Sequence, residues 1–293
     1  MRVAVAQFSV SRDKVENQKR ISRLAEEAAR AGSRLAVFPE CAMVDFGASG
    51  GDLRGSAEPL DGPFVESLAR LAERLELTLV AGIFETIPGE PRIHNTAVVL
   101  DPRRGLIAAY RKRNLYDAFG ERESEKILPG SEVPPVFEVD GFTTTVVVCY
   151  DLRFPSFIEC LADRGADLLL VPAAWVAGPL KEDHWKVLVQ ARAIENTIYV
   201  AGAGQSGVRY CGLSRIVDPM GVVTSSLGEA EGVASADVSK ERLAEVRARL
   251  PLVVQRRAAA GITCRPHPDL RASATCAGPP AQRSSYPVAQ VRS

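Results

Sequence analysis

The stretch Val146 to Pro155, VVVCYDLRFP, runs three β-branched residues into a cysteine and then breaks into Tyr-Asp-Leu-Arg-Phe-Pro. A free thiol in an apolar run is ordinarily one more small core residue. Cys149, however, stands where a buried strand gives way to a turn. Active sites of α/β proteins gather at the carboxyl ends of strands, and backbone N–H groups just past a strand end can face a reacting carbonyl oxygen. A thiol nucleophile also needs a base, because its ordinary pKa of about 8.5 leaves only a few per cent thiolate at neutral pH.

His94, His184 and His267 lie far apart and none offers itself as that base. Glu40 is a better candidate. RLAVFPE (34–40) ends an apolar strand with a carboxylate at the same kind of location, although a lone glutamate there would ordinarily be solvated. Lys112 has the same character: AAYRKRNLYD leaves an apolar strand through three consecutive basic residues. Such a run is usually a solvated face, but one member could point inward. A lysine near a thiol would favour thiolate and later stabilise the oxyanion of a tetrahedral intermediate.

The elements that must position these residues alternate along the chain. VAVAQF (3–8) and RLAVFPE (34–40) read as buried strands, and Ile21, Leu24, Ala25 and Ala28 between them form a helical stripe. Val65, Leu68, Ala69 and Ala72 mark a second helix before the strand LTLVAGIF (77–84). TAVVLD (96–101) and GLIAAYRK (105–112) read as a hairpin around Pro102 to Arg104. After TTTVVVCY come a helix over 157–162, the strand DLLLVPAAW (167–175), a helix marked by Trp185, Leu188, Val189 and Ala193, the strand IYVAGAG (198–204) and a hairpin around IVDPMGVV (216–223). This pattern predicts a layered α/β domain, two stacked sheets with outer helices rather than a barrel. No phosphate-binding glycine motif or internal repeat occurs.

With 293 residues, 46% of them hydrophobic, the chain can build one sizeable core. Lys+Arg and Asp+Glu are both 36, and that balance argues against a nucleic-acid partner. The opening MRVAVAQFSV is too short for a signal peptide's apolar region, and nothing approaches a membrane span of ~20 apolar residues. We therefore expect a soluble, cytoplasmic protein. The six cysteines include no CxxC, and cysteines and histidines show no zinc-ligand spacing, so neither a disulfide framework nor a metal is expected. Residues 258–293, rich in proline, alanine and arginine, read as a disordered basic tail, which leaves 1–257 as the folded domain.

FPE, YRKRNLYD and CYDLRFP, in this order, resemble the motifs of the nitrilase, or carbon–nitrogen hydrolase, superfamily. In sequence, 72 residues separate Glu40 from Lys112 and 37 separate Lys112 from Cys149. Glu123-Ser124 with Pro129-Gly130, HWKVLVQARAIENTIYVAGAGQ (184–205) and IVDPMG (216–221) also match, so the resemblance covers roughly residues 1–257. It implies a four-layer αββα sandwich and a cofactor-free mechanism. Glu40 would be the general base, Lys112 the stabiliser of the tetrahedral intermediate and Cys149 the nucleophile that forms a thioester. Glu123 would be a second glutamate that positions substrate and Lys112, and the Tyr150 N–H a backbone donor to the oxyanion.

The motifs look closest to the branch containing ω-amidase and deaminated-glutathione amidase, which hydrolyse terminal amides of small carboxylate-bearing compounds and release ammonia. Aliphatic amidases, N-carbamoyl hydrolases and nitrilases share the core set and stay open as alternatives. A carboxylate-bearing substrate needs a cation in the pocket. Arg153, Arg111 and Arg113 are candidates, with Asp151 an obvious partner for Arg153. Tyr116, Ala174 and Trp175 match positions near the family's pocket. Leu213 replaces a histidine found in many relatives, which would affect packing or an oligomer contact. The glycine-rich stretch 47–55 differs among branches. Cys41, Cys160 and Cys211 read as packing residues. The resemblance also implies a homodimer that buries helices following the Cys149 strand. The rival class is a non-catalytic binding protein on this fold, which loss of Glu40, Lys112 or Cys149 would have favoured.

Overall fold

The first strand, β1 (Arg2–Gln7), is apolar on both faces because both are covered. Val3 and Val5 turn into the core between two sheets, whereas Ala4 and Ala6 pack in a second core with helical residues Ile21, Leu24 and Leu68. Period-two alternation between two apolar environments is what a strand in the middle of a layered sandwich requires.

The computed structural model describes residues 1–46 and 53–259. The chain divides into two units, Met1–Gln255 and Arg256–Ser293; the architecture below is that of the first. Of the tail expected over 258–293, all but Ala258 and Ala259 lies outside the described residues, as does most of the glycine-rich stretch 47–55.

In chain order, β1 is followed by α1 (Lys14–Arg30), β2 (Leu35–Val37), α2 (Leu53–Ser56), α3 (Pro63–Leu75), β3 (Thr78–Glu85), β4 (His94–Asp101) and β5 (Gly105–Arg111). A hairpin of β6 (Val136–Val139) and β7 (Phe142–Val146) leads to α4 (Pro155–Asp163), β8 (Leu168–Ala173), α5 (Lys181–Asn196) and β9 (Tyr199–Gly204). The remaining elements are β10 (Arg215–Val217), β11 (Val223–Ser226), β12 (Gly232–Asp237), α6 (Lys240–Arg249) and α7 (Leu252–Ala258). One six-stranded sheet has the order β12-β1-β2-β3-β4-β5 and the other β11-β10-β9-β8-β7-β6. Both are mixed sheets, with α1 and α3 covering the first and α4 and α5 the second, so the αββα sandwich expected from the sequence is the observed fold.

Topology brings the site together. β1, β2 and β3 run parallel, and two antiparallel steps through β4 return β5 to the same direction. β7, β8 and β9 are likewise parallel. The carboxyl ends of β2 and β5 thus share one edge of the first sheet, and those of β7 and β8 one edge of the second. The tight β4–β5 hairpin is held by Asp101, whose Oδ1 accepts hydrogen bonds from the backbone N–H of Arg103 and Arg104 at 2.9 Å each, an Asx turn.

Two strands were not evident beforehand. β6 lies at a sheet edge, and β12 (GVASAD) is built of small residues with weak strand preference. β12 forms only because β1, 235 residues earlier at the Arg2–Asp237 pair, offers it an antiparallel edge.

Candidate active site

Glu40 lies three residues past the end of β2 and is 3% exposed. Its turn lies flat against β3 at Gly82, where an added Cβ would come within 2.5 Å of the Cys41 backbone nitrogen. Only glycine permits that approach. Lys112 directly follows β5 and is 2% exposed, a burial that lysine tolerates only when paired. Its Nζ donates to Glu40 Oε1 and Glu123 Oε2, at 2.8 Å in each case. Glu123 opens a 3₁₀ turn in the loop after Lys112, where its Oε2 also accepts the Tyr116 backbone N–H at 2.7 Å. Glu40 Oε2 accepts the Ala174 backbone N–H at 2.7 Å, from the exit of β8.

Cys149 begins a 3₁₀ turn, Cys149–Arg153, three residues after β7 ends. Its φ is 46°, a left-handed backbone that costs a non-glycine residue roughly 1–2 kcal/mol. Asp151, fully buried, holds the turn. It accepts hydrogen bonds from Val148 N (3.0 Å), Asn114 N (2.9 Å), Asn114 Nδ2 (2.8 Å) and the Tyr110 hydroxyl (2.9 Å). The Cys149 turn is thereby tied to the segment that carries Lys112. Tyr150 is in the first turn of the 3₁₀ segment, where backbone N–H groups lack intrahelical acceptors.

Burial alone would raise the Glu40 carboxyl, but the charge and hydrogen bond of Lys112, with help from the Cys149 thiol and the Ala174 N–H, leave it below the usual carboxylate range. Burial also works against the Lys112 ammonium, yet the charges of Glu123 and Glu40 hold it well above the usual lysine value. For Cys149, burial and the Glu40 charge push the thiol well up, against the pull of Lys112. Lys112 does favour the thiolate, as a lysine beside a thiol should, but burial and Glu40 outweigh it. The Glu40 carboxyl thus favours its charged form and the Cys149 thiol its neutral one, an arrangement that suits proton transfer from sulfur to carboxylate.

Glu40, Lys112, Glu123, Cys149, Tyr150, Tyr116, Arg153, Ala174 and Trp175 all line one pocket; of the candidates read from the sequence, Arg111 and Arg113 lie outside it. Arg153 is not paired with Asp151, whose oxygens are taken as described. Its guanidinium instead lies 4.5 Å from the Trp175 ring centroid and 5.7 Å from that of Tyr150, with one terminal nitrogen 3.5 Å from His184 Nδ1, and its Nε has no hydrogen-bond partner among the described residues. Arg111 is spent on Glu85 (2.8 and 2.5 Å) and Arg113 stacks on Phe157, so neither competes with Arg153. Trp175 is locked by its Nε1 donating to Lys181 O at 2.8 Å. Cys41 and Cys211 are buried as expected, whereas Cys160 is exposed. Leu213 takes a left-handed φ of 56° and packs against the central core. Asn95, which sequence reasoning passed over, sits among the charged groups with its Nδ2 2.7 Å from Glu40 Oε1 and 3.0 Å from Glu123 Oε1. Among the described residues no group of three or more His, Cys, Asp or Glu could hold a metal ion, and no helix is long and apolar enough to cross a membrane.

The Carbon-nitrogen hydrolase family matches residues 2–248. The chain belongs to that family. It is 38% identical over 258 residues to deaminated glutathione amidase of Escherichia coli O157:H7, covering 88% of this chain and 97% of that protein. It is 33% identical to omega-amidase NIT2 of Danio rerio, covering 87% and 94%. Among solved structures, a CN-hydrolase superfamily protein from Xanthomonas campestris with an arsenic adduct in its active site superposes with a TM-score of 0.78 at 30% identity, covering 87% of this chain and 96% of that one. Saccharomyces cerevisiae Nit3, of branch 10 of the nitrilase superfamily, gives the same TM-score, 0.78, at 28% identity, covering 88% and 96%. This carbon–nitrogen hydrolase is accordingly an enzyme of the nitrilase superfamily.

Proposed function

We propose that this hydrolase is a cysteine-dependent amidase acting on the terminal amide of a small carboxylate-bearing compound. The observation that supports this most is the buried Glu40–Lys112–Glu123 cluster set against the Cys149 thiol, in a pocket that also holds the Arg153 guanidinium, which has no carboxylate partner among the described residues. Glu40 takes the proton from Cys149 Sγ as the sulfur attacks the amide carbon. The carbonyl electrons move to oxygen, held by Lys112 Nζ and the Tyr150 N–H where charge develops. Glu123 keeps Lys112 charged and aimed. As the C–N bond breaks, Glu40 returns its proton to nitrogen, ammonia leaves and a thioester remains. Water, deprotonated by Glu40, then attacks the thioester, the sulfur departs and recovers its proton, and the carboxylic acid is released.

The substrate's carboxylate would meet Arg153, whose planar fork suits bidentate pairing and whose position is fixed by stacking on Trp175. The names of the relatives, a deaminated glutathione amidase and an omega-amidase, support the same substrate class. The test is ammonia release from succinamate, α-ketoglutaramate, deaminated glutathione, an aliphatic amide, an N-carbamoyl amino acid and a nitrile. Activity on the first three is expected; activity confined to the last three would move the substrate class. Arg153→Met is expected to raise KM for succinamate about 10–100-fold and leave the aliphatic amide nearly unchanged, a charge-assisted pair being worth roughly 1.5–3 kcal/mol. An equal loss on both substrates would make Arg153 a packing residue.

The pH dependence of kcat/KM follows from the charges. Glu40 is depressed, so its base form is present above its pKa and lost only as pH falls through a value below the usual 4.5. Because Glu40 takes the thiol proton during the reaction, no resting thiolate is needed. The profile is expected to be flat from pH 5 to 9. A rise through pH ~8.5, the ordinary thiol value, would contradict the base role.

In the cell, the four described cysteines are all free thiols, which suits a reducing cytoplasm. A second copy would cover the apolar face formed by Phe154, Val187 and Ile194, which are 38%, 62% and 42% exposed beside and along α5. Light scattering is expected to give a dimer that Val187→Glu weakens; a monomeric wild type would remove this proposal.

A further inference from the structure

Asn95 lies on β4, outside the turns that carry the other charged groups, and is 1% exposed. Its contacts reach every charged member of the cluster. The backbone carbonyl accepts the Lys112 N–H at 2.8 Å. The single side-chain NH2 donates one hydrogen to Glu40 Oε1 at 2.7 Å and the other to Glu123 Oε1 at 3.0 Å. The amide orientation follows from those partners, since turning Oδ1 toward two carboxylates would set acceptor against acceptor. Oδ1 is left buried with no hydrogen-bond partner among the described residues. An asparagine that served packing alone would be expected to satisfy both ends.

We propose that Asn95 is a positioning residue for the hydrolysis, acting through Glu40: one NH2 divided between two carboxylates holds them apart on Lys112 and keeps Glu40 ionised as the base. This rests on the base role of Glu40 given above. Two carboxylates on one ammonium repel each other, and each gains by taking a proton unless donors favour its charged form. Lys112 supplies one side-chain donor to each and Asn95 another, beside the Ala174 N–H on Glu40 and the Tyr116 N–H on Glu123. Asn95 and Lys112 share Oε1 of Glu40, whereas Oε2 accepts the Ala174 N–H. That is the oxygen left for the thiol proton. The other titratable groups around the cluster are Cys149 and Cys41, with Tyr116 on the loop, the Arg209–Glu121 pair, Arg153 and Lys181 at the rim of the pocket. On the strands beside Asn95, His94 is bonded to Leu128 O and Glu85 is paired with Arg111. Of these, the Cys149 thiol also hydrogen-bonds the Glu40 carboxylate; none of the others does among the described residues.

The experiment is a kcat/KM profile from pH 5 to 9.5 for wild type, Asn95→Asp and Asn95→Ser, on an amide the wild type hydrolyses, with thermal unfolding of each. Asn95→Asp replaces a donor by a third carboxylate, which favours protonation of Glu40. Its acid limb is expected to move alkaline by about 2.5 units or more, into the measured range, so that activity falls at least ~10-fold at pH 6 and recovers in part at pH 9, with KM changed less than about threefold. Asn95→Ser keeps one donor and should show a smaller shift of the same sign, which preserves the test if the aspartate variant folds poorly. Uniform loss across the range with an unmoved limb, or unchanged activity in both variants, would overturn the positioning role while leaving Glu40 as base. Full activity in Glu40→Gln would overturn the base role and this proposal with it.

Discussion

Lys112→Met is expected to lower ammonia release by about 10³-fold or more and to destabilise the fold by about 3–5 kcal/mol at neutral pH. Methionine matches the length and apolar stem of lysine but removes the ammonium. Glu40 and Glu123, 3% and 5% exposed, then face each other with no charge between them. Breaking a buried ion pair by deleting one partner leaves an uncompensated charge, and here it leaves two. The loss should depend on pH with a definite sign. Without Lys112 the folded-state pKa of at least one carboxyl rises above its unfolded value of about 4.3. Protonation then favours the native state at low pH, and that contribution is lost as pH rises through the raised pKa. Urea midpoints of the variant should therefore approach those of wild type at pH 5 and separate at pH 8. A gap that is constant with pH would mean that Lys112 packs rather than pairs.

Cys149→Ala carries the opposite signature, large in rate and small in stability. Ammonia release is expected to fall about 10⁴-fold or more, since the bond-forming atom is gone and the remaining donors can only polarise a carbonyl that nothing attacks. Cys149 lines an open pocket, so truncation by one sulfur seals no new cavity. The alanine variant should unfold within about 1 kcal/mol of wild type. Substrate binding should survive, because the groups proposed for it, Arg153 and Trp175, are untouched. A variant that loses both activity and several kcal/mol would show that the turn, and not the thiol, had been removed.

The residues proposed for catalysis were legible in the sequence because each sits where an apolar strand gives way to a polar side chain. FPE, RK and CYD mark the exits of β2, β5 and β7, and parallel topology makes such exits meet. Glu123 lies on a loop without that signal and was identified only through the family resemblance. Asn95 gave no sign at all. In HNTAVVLD it is one polar residue at the start of an ordinary strand, and its meaning appears only when β4 lies between Glu40 and the Glu123 loop. Arg153 and Asp151 were wrongly paired for a related reason. Two residues apart in a 3₁₀ turn they point to different sides, Asp151 into the hydrogen-bond network beneath Cys149 and Arg153 over the Trp175 ring. β12 escaped notice because its strand character comes from β1, far away in sequence, and not from its own small residues.

The measurement that bears most directly on the mechanism is the mass of the protein quenched in acid within the first turnovers on succinamate. Succinyl esterified to the Cys149 sulfur is expected on the peptide that contains it, removable by neutral hydroxylamine and absent from Cys149→Ala. An unmodified Cys149 peptide during steady turnover, or the acyl group on another residue, would contradict Cys149 as the nucleophile.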